Sequence, residues 1–270
     1  MGAAYLALTA LLALAAPRFP RGPVHDPPDW GACEDIRIPA QDNGFLEAWI
    51  VRPAGPERGV AVFAHGWGRN RDRMTPRARV FGQMGFTCVM ASARDHGASS
   101  PHARMNVARF AEDIRAVVAW VNKPVLLYGH SAGAAGAILA TAQDGQNVRM
   151  LFLEGCYVST RKALLRLYWD FHPLAGIFLG PPIVFWTDVF SGFGLEKISP
   201  ARLCAGIAAP VLVIHGACDK KFPARWARAL QQCFPAGQAE LFLAQGAGHS
   251  GSPASPGYAG AVASFLEART

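Results

Sequence analysis

Residues 126–136 read LLYGHSAGAAG: an apolar run, then a serine set between two glycines, then a series of small residues. The run from Val125 to Tyr128 predicts a buried strand, and the small residues from Ala132 onward predict a helix able to pack closely. Gly129-His130-Ser131-Ala132-Gly133 fits the pattern G-x-S-x-G. In that pattern a sharp strand-to-helix turn holds the serine in a strained conformation with its hydroxyl exposed above a sheet. The pattern is weak in isolation. Its weight here comes from the strand before it and the helix after it.

A serine hydroxyl is a poor nucleophile at neutral pH. It needs a base, and the base needs an orienting acid. The chain supplies both downstream, in the order serine, aspartate, histidine. Asp219 follows the apolar run PVLVIHGACD, and His249 follows AELFLA within QGAGHSG. Both are expected on loops at strand ends, where open α/β sheets place their sites. Glu154, at the end of MLFLEGC, is the reserve acid. A tetrahedral intermediate also needs N–H donors already in place. The backbone of Ala132 is one expected donor, and Trp67, in the loop after VAVFAHGWG, is the other. His65, His130 and the Asp95-His96-Gly97 turn are expected to be structural.

Outward from this centre, runs of strand character alternate with runs of helical character. EDIRIPA and FLEAWIVRP flank QDNG and predict a hairpin. GVAVFAHGWG, FTCVMASA, PVLLYGHS, VRMLFLEG, PVLVIHG and AELFLA predict further strands. MTPRARVFGQMGF, NVARFAEDIRAVVAWVNK, the alanine-rich segment after Ser131 and YAGAVASFLEA predict helices. The alternation argues an α/β fold with a mostly parallel central sheet flanked by helices. Residues 157–200 break the rhythm. They carry Trp169, Phe171, Phe178, Phe185, Trp186, Phe190 and Phe193, and are expected to form a short helical cap insertion beside the site. The organisation expected is an apolar segment and proline-rich linker over 1–28, then one domain over 29–270.

The 270 residues are 51% apolar and 17% charged, which suits a large packed core. The net charge is +7, but the basic residues are scattered among apolar and turn residues without interleaved aromatics, so no nucleic-acid partner is expected. Six cysteines form no disulfide framework and no metal-ligand spacing, so they are read as reduced and no metal is expected. The opening MGAAYLALTALLALAA is almost wholly apolar and is followed by PRFPRGP. It is read as a membrane anchor, with a cleaved signal leading to a secreted or periplasmic protein, or a packed N-terminal helix, as the alternatives.

With these motifs in hand, the chain resembles the α/β-hydrolase fold superfamily over roughly Asp35 to Ala268. HGWG, RDHGAS, GHSAG, VIHGACD and GAGH are similar to its successive signature loops. The approach to the acid, ISPARLCAGIAAPVLVIHG, is similar to the membrane-anchored bacterial branch related to Bem46-like and serine-aminopeptidase-like hydrolases. The resemblance implies nucleophile Ser131, acid Asp219, base His249, backbone donors Trp67 and Ala132, and no cofactor. A serine nucleophile sets the chain apart from the branches that use aspartate. Two departures, RDHG and the lysines after Asp219, lie outside the three catalytic positions. The expected activity is cleavage of a small acyl or aryl carboxylic ester. The alternatives are a peptidase or thioesterase on the same residues, or a non-catalytic membrane-tethered binding module.

Overall fold

The structure is a computed structural model, and it describes residues 2–16, 21–25 and 27–269. The parts of the expected linker at 17–20 and 26 lie outside the described residues.

Strands β1 (Ala32–Pro39) and β2 (Phe45–Arg52) form the hairpin expected around QDNG, with Pro39 paired to Phe45. Asp42 and Asn43 turn the chain with positive φ, which these short polar side chains tolerate. Next come β3 (Gly59–Ala64), α1 at the N-terminus (Gly2–Ala15), α2 (Thr75–Gln83), β4 (Phe86–Ala91), α3 (Val107–Val121) and β5 (Val125–His130). The chain continues through α4 (Ala132–Gln143), β6 (Val148–Glu154), α5 (Thr160–Phe171), α6 (Pro173–Phe178), α7 (Gly180–Phe190) and α8 (Pro200–Leu203). It ends with β7 (Val211–Gly216), α9 (Ala224–Gln232), β8 (Ala239–Ala244) and α10 (Tyr258–Glu267).

The strands make one eight-stranded sheet in the order β1-β2-β4-β3-β5-β6-β7-β8. β1 and β2 are antiparallel, as are β2 and β4, and every pairing from β4 through β3 to β8 is parallel. β4 lies on one side of β3 and β5 on the other, so the chain reverses its direction of travel across the sheet at β3. That reversal opens a crevice above the carboxyl ends of β3 and β5.

Alternate residues of each strand serve opposite faces. Val60, Val62 and Ala64 of β3 belong to the core layer that includes residues of α3, α4 and α9, while Ala61 and Phe63 belong to the opposite layer with residues of α2 and α10. Strands β3 to β7 are buried on both sides along nearly their whole length, which is why they read as continuous apolar runs, while the edge strand β8 is half-buried. Cys88 sits fully buried in β4, as expected, and burial pushes its thiol up to about 12. All six cysteines are free.

Helices α5–α7 form the expected insertion between β6 and β7. Several of its aromatics face outward: Phe171, Phe178 and Phe193 are 89%, 66% and 63% exposed. Those three rings therefore do not wall an enclosed pocket.

The expected membrane attachment through the N-terminal segment is overturned. α1 has 14 residues, which at 1.5 Å per residue is about 21 Å, short of the roughly 30 Å hydrocarbon core of a bilayer. No helix among the described residues is long and apolar enough to cross a membrane. α1 instead packs on α7, its Thr9 is fully buried, and the Tyr5 hydroxyl donates to the Phe178 carbonyl.

Candidate active site

The serine at the end of β5 sits in the conformation that the glycine spacing predicts. Ser131 has φ 54° and ψ −116°, a region that non-glycine residues rarely occupy. Neighbouring backbone presses in on both sides of it. A Cβ on Gly129 would stand 2.5 Å from the Ala134 Cα, and one on Gly133 would stand 2.4 Å from the carbonyl oxygens of Ala64 and His65. Only glycine fits at those two positions. The turn and the loop after β3 are therefore locked together, and a Cβ on Gly66 of that loop would lie 3.1 Å from the Ser131 Cβ.

The three residues expected to act together meet here. The Ser131 hydroxyl donates to His249 Nε2 at 3.0 Å, and His249 Nδ1–H donates to Asp219 Oδ2 at 2.7 Å. This assigns His249 the Nδ1-protonated neutral tautomer, the form that can accept a proton at Nε2. The other Asp219 oxygen accepts from the backbone N–H groups of Lys221 and Phe222 at 2.8 and 3.0 Å. Burial works to raise the pKa of Asp219, but these hydrogen bonds, led by that from His249, hold its carboxyl below the usual carboxylate range. The Phe222 ring lies edge-on to His249, 5.2 Å between centroids, and stacks on Trp226.

His215 was not singled out by its sequence position. It lies four residues before Asp219, its Nε2 is 3.4 Å from Asp219 Oδ2, and it donates to the Phe222 carbonyl at 2.7 Å. It closes the Asp219–Phe222 turn from beneath. The motif VIHGACD held the signal, a histidine and an aspartate at i and i+4 around a strand end.

Trp67 follows β3 and packs on Phe110 and His96, while Ala132 is the first residue of α4. Two buried imidazoles frame the Trp67 loop. His65 Nδ1–H donates to the Gly66 carbonyl at 2.7 Å, and its Nε2 accepts from the Ala93 N–H at 2.9 Å. His96 Nε2 accepts from the Gly68 N–H at 3.1 Å, and its Nδ1–H donates to the Arg94 carbonyl at 2.8 Å. Both rings are thereby neutral, and burial pushes His65 down to about 3. They serve as the structural props expected of them. Asp95 pairs with Arg21.

Glu154, the reserve acid, is occupied otherwise. It is fully buried, and Arg77 Nε and Nη2 donate to its two oxygens at 2.5 and 2.8 Å. Burial opposes its charge, yet the guanidinium holds its carboxyl down to about 2. Arg77 was invisible in the sequence, because nothing local ties it to a carboxylate 77 positions away. Among the described residues no group of histidine, cysteine and acidic side chains could hold a metal ion.

Comparison with known proteins places this geometry. Residues 55–181 match the family model described as serine aminopeptidase, S33, and residues 196–270 match that described as TAP-like protein. No curated protein matches the chain significantly. Among solved structures, an esterase of Pyrococcus furiosus superposes with TM-score 0.70 at 18% identity, covering 93% of this chain and 99% of its own. Est1E of Butyrivibrio proteoclasticus, solved with ferulic acid bound, gives TM-score 0.66 at 16% identity, covering 87% and 98%. A thioesterase domain from the curacin biosynthetic pathway gives TM-score 0.63 at 17% identity, covering 87% and 100%. The two family models, the sheet order and the strand-end serine together make the chain a member of the α/β-hydrolase superfamily of enzymes.

Proposed function

We propose that the chain is a serine hydrolase that cleaves carboxylic esters of small acyl or aryl compounds through an acyl-enzyme. The observation that carries this reading is the unbroken series of hydrogen bonds from Ser131 Oγ through His249 to Asp219. Ser131 Oγ attacks the ester carbonyl carbon while His249 Nε2 takes its proton. The backbone N–H groups of Trp67 and Ala132 stabilise the resulting oxyanion. Collapse of the tetrahedral intermediate expels the alcohol, which leaves with the proton from His249. Water then attacks the acyl-enzyme and gives a proton to His249; collapse of this second tetrahedral intermediate breaks the acyl–Oγ bond, returns that proton to Ser131 Oγ and releases the carboxylic acid. The buried Asp219 carboxylate keeps the imidazole in the productive tautomer and stabilises its charged form. Structural neighbours described as esterases support the ester as substrate class.

The second reading, a thioesterase or peptidase on the same residues, draws on the thioesterase neighbour and on the serine aminopeptidase description of the first family model. A panel of short-chain esters, acyl thioesters and aminoacyl amides separates the two. Fluorophosphonate labelling tests the nucleophile without a choice of substrate. Labelling is expected in the wild type and not in Ser131→Ala, with hydrolysis reduced at least about 10⁴-fold. A Ser131→Ala protein that keeps its ester hydrolysis sinks the assignment.

A further inference from the structure

The loop that carries His249 is gripped from the nucleophile side at two successive carbonyls. His130 Nε2–H donates to the His249 carbonyl at 3.0 Å, and Arg77 Nη2 donates to the Ser250 carbonyl at 3.1 Å. Neither grip is loose. His130 is the chain neighbour of Ser131. Arg77, on α2, is almost wholly buried, donates twice to Glu154 and sends Nη1 to the Arg73 carbonyl at 3.0 Å. Glu154 is fixed in turn: its carboxylate accepts from the Tyr128 hydroxyl at 2.8 Å, and that hydroxyl accepts from Tyr258 at 3.0 Å. The main-chain oxygen of Glu154 accepts from the Ser131 N–H at 2.8 Å. Glu154 is thus bonded through its backbone to the serine, and through its side chain and Arg77 to the loop of the histidine.

The geometry points to Arg77 as a positioning residue for the reaction proposed above, setting the separation of His249 Nε2 from Ser131 Oγ by holding the Ser250 carbonyl. The inference rests on that reading of Ser131 and His249. A buried ion pair is a poor device for stability alone, since two charges lose their hydration and an apolar pair of equal volume packs as well. An apolar pair, however, offers no donor to Ser250. The guanidinium does, because its rigid fork binds Glu154 with two N–H groups and still sends one along a fixed direction to the loop. Glu154 is the anchor of that fork, and both side chains are buried.

The test is the paired variant Arg77→Leu/Glu154→Gln, which removes both charges together and leaves an acceptor for Tyr128. For this variant kcat is expected to fall about 100-fold with KM unchanged, the penalty of a base displaced by about an ångström. Its unfolding midpoint should fall as well, since the Ser250 carbonyl loses its donor, so kcat and the position of His249 decide the matter. A crystal structure of the variant is expected to show His249 Nε2 drawn beyond hydrogen-bonding reach of Ser131. A purely structural role lowers the midpoint but leaves kcat of the folded protein intact and His249 in place. That result overturns the inference. Should the pair fail to fold, Arg77→Lys keeps the charge opposite Glu154 but not the fork. It is expected to lose kcat about tenfold while remaining folded, and an Arg77→Lys enzyme of wild-type kcat overturns the inference equally. A wild type that neither labels nor turns over esters defeats the hydrolase reading instead. In that case the position of His249 in the variant crystal still decides the role of Arg77.

Discussion

Ser131 stores strain that its proposed role as nucleophile requires. A residue with a Cβ at φ 54° and ψ −116° costs on the order of 1–3 kcal/mol, sustained here by the packing around Gly129 and Gly133. Glycine has no such penalty. Ser131→Gly is therefore expected to be more stable than Ser131→Ala by about 1 kcal/mol, while both lack activity. Thermal unfolding of the two variants side by side checks this, and equal midpoints would remove the strain from the account of the elbow. The comparison isolates backbone strain, because both substitutions delete the same hydroxyl.

At the scale of elements, the cap insertion is held at its return by one buried carboxylate. Asp188, near the end of α7, accepts from the Leu195 N–H at 3.0 Å and pairs with Arg161 of α5. It ties the outgoing helix, the returning loop and the far helix of the insertion together. Asp188→Ala leaves that buried N–H without its partner, a loss of about 1–3 kcal/mol borne by the cap alone. Limited proteolysis is expected to cut the variant within 157–200 faster than the wild type. Fluorophosphonate labelling of Ser131 should persist, since the elbow belongs to β5 and α4. Unchanged cutting would mean that the insertion is held chiefly by its apolar contacts. The N-terminal helix touches α7 along one side only, and its 14 residues are too few to span a bilayer.

For the whole molecule, the buried histidines dictate the acid response. Burial holds His65 and His130 near 3, far below an ordinary histidine. An imidazole with a depressed folded pKa contributes stability that is present above its unfolded value of about 6.5 and is lost as pH falls toward the folded value. Asp113 opposes them. Burial pushes its carboxyl up to about 6, so the folded form takes up one proton before the unfolded form does. Two protons against one leave a net loss of about 1.4 kcal/mol per pH unit between roughly pH 6 and pH 4. His96 and His215 are shifted in the same direction as His65 and add to the loss. Glu154, held down to about 2, joins as its unfolded carboxyl protonates. Urea unfolding midpoints measured across this range should fall steadily, and a flat profile would show that these imidazoles are solvated or protonated in the folded state.

The sequence by itself determined the strands, their alternation with helices and the three residues that meet at the proposed site. Each of those depends on local order: apolar runs that must be buried on both faces, glycines that alone permit a sharp turn, and polar residues placed just past strand ends. It could not determine what Glu154 does, because a carboxylate at a strand end reads alike whether it orients a histidine or neutralises an arginine. Only the packing of α2 against the sheet brings Arg77 to it and removes it from contention. The first sixteen residues leave their surroundings open for a related reason. An apolar helix of this composition reads alike whether it is long enough to span a bilayer or not, and in the structure α7 covers one side of it, burying Thr9 and Ala13 while Leu6, Leu8 and Leu11 stay exposed. Short-range pattern is written in the chain; the choice of partner across the chain is made by the fold.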